Sequence, residues 1–147
     1  MTSYDKLLTL PLFQGLSQQD LWAMAESIPF AFLQHQAGDV MVREDMPCHQ
    51  LTFLLDGMMS VTTHADDHGY TLTEPLRAPQ GIEPEHLFGL NQHFMRTYTA
   101  ITPCNTMSIS KAHVVQLTNQ LIVFRLNLLN IITTQSQRLQ RQPWHPQ

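Results

Sequence analysis

From Lys111 to Gln140 the chain contains neither glycine nor proline. Such a stretch, with apolar side chains spaced three and four apart, predicts helix, interrupted near Thr118-Asn119. The preceding region reads differently. Short alternating segments cover Phe30 to Leu33, Val40 to Arg43, Leu51 to Leu55, Met58 to Thr63, Tyr70 to Thr73, Tyr98 to Thr102 and Asn105 to Ile109. Turn signals separate them at Gly38-Asp39, Asp56-Gly57 and Asp66-Asp67-His68-Gly69. Closely spaced strands of this kind predict a mainly β chain, a sandwich or rolled barrel with flanking helices. Ser17-Gln18-Gln19-Asp20 reads as a helix start, with Ser17 as cap, and Pro29 closes that helix. Pro75, Pro79, Gly81 and Pro84 predict an irregular loop before Leu87.

At 147 residues the chain is one domain by length. Apolar residues make up 43% and charged residues 14%, against about 25% charged in an average domain. The abundance of Leu, Ile, Val and Phe argues against disorder. Apolar runs such as Leu121-Ile122-Val123-Phe124 fall far short of the roughly 18 residues a membrane span needs. No secretory signal is visible at MTSYDK, and two cysteines make no disulfide framework. A cytoplasmic protein is expected. All twelve acidic residues lie at or before Glu85, whereas the part from His86 onward holds five basic residues. Five dispersed charges are too few for a DNA-binding face.

The apolar positions from Leu121 to Leu139 cover an arc of about 220° at roughly 100° per residue. A helix that only covers its own sheet needs little more than about 100°. The excess predicts a second partner. Leu117, Leu121, Phe124, Leu128 and Ile131 alternate at four and three, continued in polar form by Gln135 and Arg138. That is the spacing of a two-stranded coiled coil, so a homodimer through this seam is expected. Burial within one domain is the alternative. The closing RQPWHPQ cannot extend the helix and reads as a hinge.

Five motifs in order resemble the cyclic-nucleotide-binding domain of the catabolite-activator and fumarate–nitrate regulator (Crp/Fnr) superfamily. Pro11 to Ser17 is similar to its opening motif, Gly38 to Glu44 to its first barrel turn, and Leu51 to Val61 to the stretch around its hairpin glycine. Phe88-Gly89 and Arg96-Thr97 resemble the two ends of its phosphate-binding cassette, and the helix after Lys111 resembles its dimer helix. The resemblance implies a double-stranded β-helix, or β-roll, followed by a long C-terminal dimerisation helix. It implies a sensor domain over 1–110, a dimerising helical segment over 111–141 and a hinge at 142–147. The hinge would lead toward a helix-turn-helix domain, absent from this chain, through which alone DNA would be bound.

The resemblance places the ligand site at Phe88, Gly89, Leu90, Arg96 and Thr97. A cyclic phosphate needs a guanidinium, a hydroxyl and backbone N–H groups at a helix N-terminus, which Arg96, Thr97 and Gly89 could provide. In the pattern the resemblance implies, a carboxylate directly after the glycine accepts from the ribose hydroxyl, where this chain has Leu90. The segment is also shorter than in nucleotide binders. The effector is therefore expected to be a small molecule other than cAMP, or none. Bland readings stand beside this one: Arg96 as a loop brace, Thr97 as a strand former, and Phe88, Leu90 and Phe94 as core.

Neither a metal nor a cofactor is expected. His64 and His68 flank a turn, Cys48-His49 has no second pair at ligand spacing, and no His-x-His occurs. Only position suggests His86 or His93 as a haem ligand. No nucleophile elbow, P-loop or dinucleotide fingerprint is present, so an enzyme is not expected. The alternatives to a regulator's sensor domain are a stand-alone dimeric binding module and, less favoured, a cupin-like metal enzyme.

Overall fold

A computed structural model describes residues 6–65 and 70–141. A 3-10 turn at Pro11–Phe13 leads into helix α1 (Gln18–Ser27), then strands β1 (Ala31–His35), β2 (Val40–Val42), β3 (Gln50–Asp56), β4 (Met58–Ala65) and β5 (Tyr70–Arg77). Strand β6 (Gln80–Gly81), a 3-10 turn at Pro84–His86, β7 (Thr97–Ala100) and β8 (Cys104–Ser110) follow. Helices α2 (Lys111–Gln120) and α3 (Ile122–Arg141) complete the described chain. The start of α1 is the expected one. Ser17 Oγ accepts from the Asp20 N–H and Asp20 Oδ2 accepts from the Ser17 N–H, both at 3.0 Å, a reciprocal capping box.

The strands form two antiparallel sheets, β1-β8-β3-β6 and β2-β7-β4-β5. The chain passes between the sheets as it proceeds, which rolls them around one core: a β-roll with flanking helices. β3 and β8 are buried at consecutive positions, so both their faces are covered. α2 packs on these two strands. Gly57 joins β3 to β4 at φ 96°, and a Cβ there would lie 2.4 Å from the Pro103 carbonyl oxygen. Only glycine fits that hairpin.

The predicted loop from Pro75 is partly strand. β5 continues through Pro75, opposite Ser60, to Arg77, and β6 adds a short rung beside β3. Proline is tolerated because β5 is an edge strand, where one side of the backbone needs no partner. The helix break also falls later than predicted, at Leu121, whose φ of −128° separates α2 from α3. Arg125 Nε donates to the Thr118 carbonyl at 2.8 Å and so satisfies an open end of α2.

The α3 seam faces inward. Leu117, Phe124 and Leu128 are at most 4% exposed within the single chain. Phe124 packs on Phe13, with ring centroids 6.3 Å apart. Leu121, Ile131 and Gln135 are half-buried. Side chains already enclosed by their own domain have no surface for a second chain, so Leu117, Phe124 and Leu128 are core rather than dimer interface. The apolar surplus lies on the opposite side, where Ile122 is 66% exposed and Leu126 and Leu129 are each 53% exposed. These three also follow four-and-three spacing, which is why spacing alone does not identify the outer face. No described helix is long and apolar enough to cross a membrane. The expected hinge at 142–147 and the turn at 66–69 lie outside the described residues.

Candidate functional site

Glu83 is the most unusual residue near the predicted cassette. It is 2% exposed and adopts φ 44°, ψ 54°, a left-handed conformation that costs a non-glycine residue roughly 1–2 kcal/mol. A buried carboxylate also needs partners. Oε1 accepts from His86 Nδ1 at 2.7 Å and from the Met95 N–H at 2.8 Å, and Oε2 accepts from the Tyr98 hydroxyl at 2.8 Å. Burial alone would raise its pKa. The hydrogen bonds from His86, Met95 and Tyr98 outweigh that and hold the carboxyl below its ordinary value. The same bond raises the His86 pKa against the effect of burial. Burial first, and then the Glu83 charge, push the Tyr98 phenol upward.

Beside this cluster lies a polar cleft of about 200 Å³. Its roll wall includes Glu74, Glu83, Arg96 and Tyr98, and its helix wall comprises Gln135 and Arg138 of α3. Arg96 is half-buried, with Nε donating to Thr63 Oγ1 of β4 at 3.0 Å. A second cleft of about 450 Å³ runs beneath α3 toward the N-terminal 3-10 turn, lined by Pro11, Phe53, Asn127 and Ile131 among others. Gln80, Gly81, Gln135 and Arg138 line both clefts. The helix position is set from below: Asn127 Nδ2 donates to the Leu12 and Gln14 carbonyls at 2.9 and 2.8 Å.

The five expected cassette residues do not form one site. Arg96 lines the polar cleft. Phe88 is half-buried, its ring centroid 5.1 Å from the Lys111 ammonium. Leu90 is fully exposed at 108%, so it belongs to no core. Gly89 has φ 92°, but residues 87–96 form no helix, so the expected N-terminal cradle is missing. Thr97 Oγ1 is occupied by the Glu44 N–H at 3.0 Å. Phe94 is core, in line with its bland reading. The residues that organise the site, Glu83, Tyr98 and Arg138, do not stand out in the sequence as ligand groups. Arg138 is visible there only as a polar seam position, and Glu83 sits in a proline-broken segment that ordinarily reads as solvated.

No family model matches the sequence, and no curated protein matches it. Solved structures do. The sensor domain of the transcriptional regulator DNR from Pseudomonas aeruginosa superposes with TM-score 0.73 at 16% identity, covering 97% of this chain and 94% of that one. A cyclic nucleotide-binding domain from Methylobacillus flagellatus gives TM-score 0.74 at 15% identity, covering 97% and 85%. The chain has the fold of a cyclic-nucleotide-binding β-roll domain. The Thermus thermophilus catabolite activator protein matches this β-roll domain with TM-score 0.75 at 14% identity, over 89% of this chain and 60% of the activator. The β-roll domain thus shares its architecture with regulator sensor domains, while its cassette is built differently from the one the resemblance implied.

Proposed function

We propose that the chain is the effector-sensing and dimerisation domain of a Crp/Fnr-like transcription regulator in the cytoplasm, with a non-catalytic role. The observation that carries this reading is the polar cleft with one wall on the roll and the other on α3, where Arg96 faces the same space as Gln135 and Arg138. A ligand that fills such a cleft touches both bodies, so its binding energy can favour one seating of the helix over another. The exposed Ile122, Leu126 and Leu129 supply the surface for a second copy. Helix reseating would then change the separation of two helix-turn-helix domains, through which DNA is contacted.

The effector in this reading is a small molecule other than cAMP. Leu90, at the position where the resemblance expects a ribose-binding carboxylate, has no acceptor and stands in solvent, so nothing there anchors a ribose hydroxyl. Glu83 already accepts the Met95 N–H immediately before Arg96.

Light scattering at tens of micromolar tests the dimer: the expected mass is twice 16.9 kDa. Leu126→Glu with Leu129→Glu should give a monomer with unchanged circular dichroism. A monomeric native protein overturns the dimer, and a saturable thermal shift of several degrees with cAMP overturns the ligand reading.

A further inference from the structure

The 3-10 turn at Pro84–His86 gathers a set of side chains that the sensor reading leaves unexplained. One ligand atom each from Glu83, Glu85 and His86 lie within 4.8 Å of one another. Glu83 has a full set of hydrogen bonds. Glu85 does not: its Oε1 is shut off from solvent and accepts no hydrogen bond among the described residues. A closed-off carboxylate oxygen without a donor calls for a positive partner. Neither Lys111 Nζ, which donates to Gln92 Oε1 at 2.6 Å, nor Arg96 Nε, which donates to Thr63, supplies that donor.

The charge balance points the same way. Two carboxylates face one imidazole, so even a protonated ring leaves a negative charge in a partly enclosed site. We propose that Glu83, Glu85 and His86 bind one divalent transition-metal ion of the Zn²⁺ type. Two carboxylates and a neutral imidazole balance a dication, and an imidazole ligand favours Zn²⁺ over Mg²⁺ or Ca²⁺. Ligand atoms each about 2.1 Å from a tetrahedral ion stand about 3.4 Å apart. The observed span, up to 4.8 Å, has to close by as much as about 1.4 Å through side-chain rotation.

The ion takes the place of the proton that His86 Nδ1 now donates to Glu83 Oε1; a neutral ring keeps that proton by moving it to Nε2, and an imidazolium releases one proton to reach the same state. Three protein ligands leave a fourth position for water. Glu83 also lines the effector cleft, whereas Glu85 and His86 do not, so variants at these two residues test the metal site apart from the cleft.

The test is calorimetric titration of the full chain with Zn²⁺, repeated with Glu85→Gln and His86→Ala. The chain's other histidines offer weak sites, so dependence on these two residues is what counts. The expected result is a one-to-one site that raises Tm in the native protein and weakens at least about tenfold in both variants. Glu85→Gln removes a closed-off charge whose Oε1 has no donor, so its Tm without metal should be no lower than that of the native protein. Absence of a saturable one-to-one site overturns the proposal. So does a site whose affinity is the same in Glu85→Gln as in the native chain.

Discussion

Asn127, in the second turn of α3, donates its side-chain amide to the Leu12 carbonyl at 2.9 Å, joining residues 115 positions apart. The same nitrogen reaches the Gln14 carbonyl at 2.8 Å, so one side chain satisfies two backbone acceptors of the N-terminal 3-10 turn. Asn127→Ala leaves both acceptors without this donor. The expected loss is about 0.5–1.5 kcal/mol, because one bond is exposed and the other only part-buried, read as a lower midpoint in urea denaturation. An unchanged midpoint would mean that water replaces the amide at no cost.

Gly57 carries a second prediction. Its φ of 96° and the 2.4 Å that would separate an added Cβ from the Pro103 carbonyl oxygen leave no room for a side chain. Gly57→Ala should destabilise the roll by at least about 1–3 kcal/mol, the range for a strained left-handed residue alone. Gly38 has a similar φ of 95° but open space where its Cβ would stand, so Gly38→Ala should cost less. Thermal melts of the two variants separate the steric part from the conformational part.

Asp56 fixes the sign of one pH effect. Its side chain accepts from Lys6 Nζ and from Asn105 Nδ2, and the Lys6 hydrogen bond, first among the causes, lowers its pKa. A depressed folded-state pKa adds stability above the unfolded value of about 3.9, and that stability is lost as pH falls through the folded value. With the carboxylate 36% accessible, the pair is worth well under about 1 kcal/mol. The stability difference between the native protein and Asp56→Asn should be constant above about pH 5 and vanish at the acid end. A difference that persists when Asp56 is protonated would assign the effect to packing.

Cys48 should be inert. Burial, with the charges of Glu83 and Glu85 adding to it, pushes its thiol up to about 11. The reactive species is the thiolate, and both cysteines are buried. A disulfide reagent at pH 8 should therefore label the folded protein far more slowly than the unfolded chain, which exposes two thiols. Rapid labelling of Cys48 in folded protein would place the thiol at the surface.

Much of the fold was legible because local chemistry and tertiary demand agree. Ser17 and Asp20 cap a helix in isolation as they do here, and Asp56-Gly57 turns a hairpin that only glycine fits. The inward face of α3 was not legible. Phe124 and Leu128 on one side and Leu126 and Leu129 on the other repeat with the same spacing, and only the position of Phe13 decides between them. At the site, Arg96 carried a signal through its place in the cassette pattern. Glu83 carried none, because its burial depends on Tyr98 and the Met95 backbone, which approach it only when β7 joins the roll. Leu90 misled for the converse reason: its side chain is apolar, yet the loop turns it to solvent while Leu87 and Phe94 of the same loop are core.

The carboxylate of Glu83 has one more implication. It is anchored to the same chain as the Met95 amide it occupies, so it never diffuses away. An anion in solution that reaches for that amide competes with a tethered rival at high effective concentration. Weak anions at millimolar levels lose that contest unless they bring further contacts, for instance with Arg96 and Arg138 together. In the proposed sensor, solutes would thus be selected by exclusion as well as by attraction, and removing the tethered rival would broaden what is accepted.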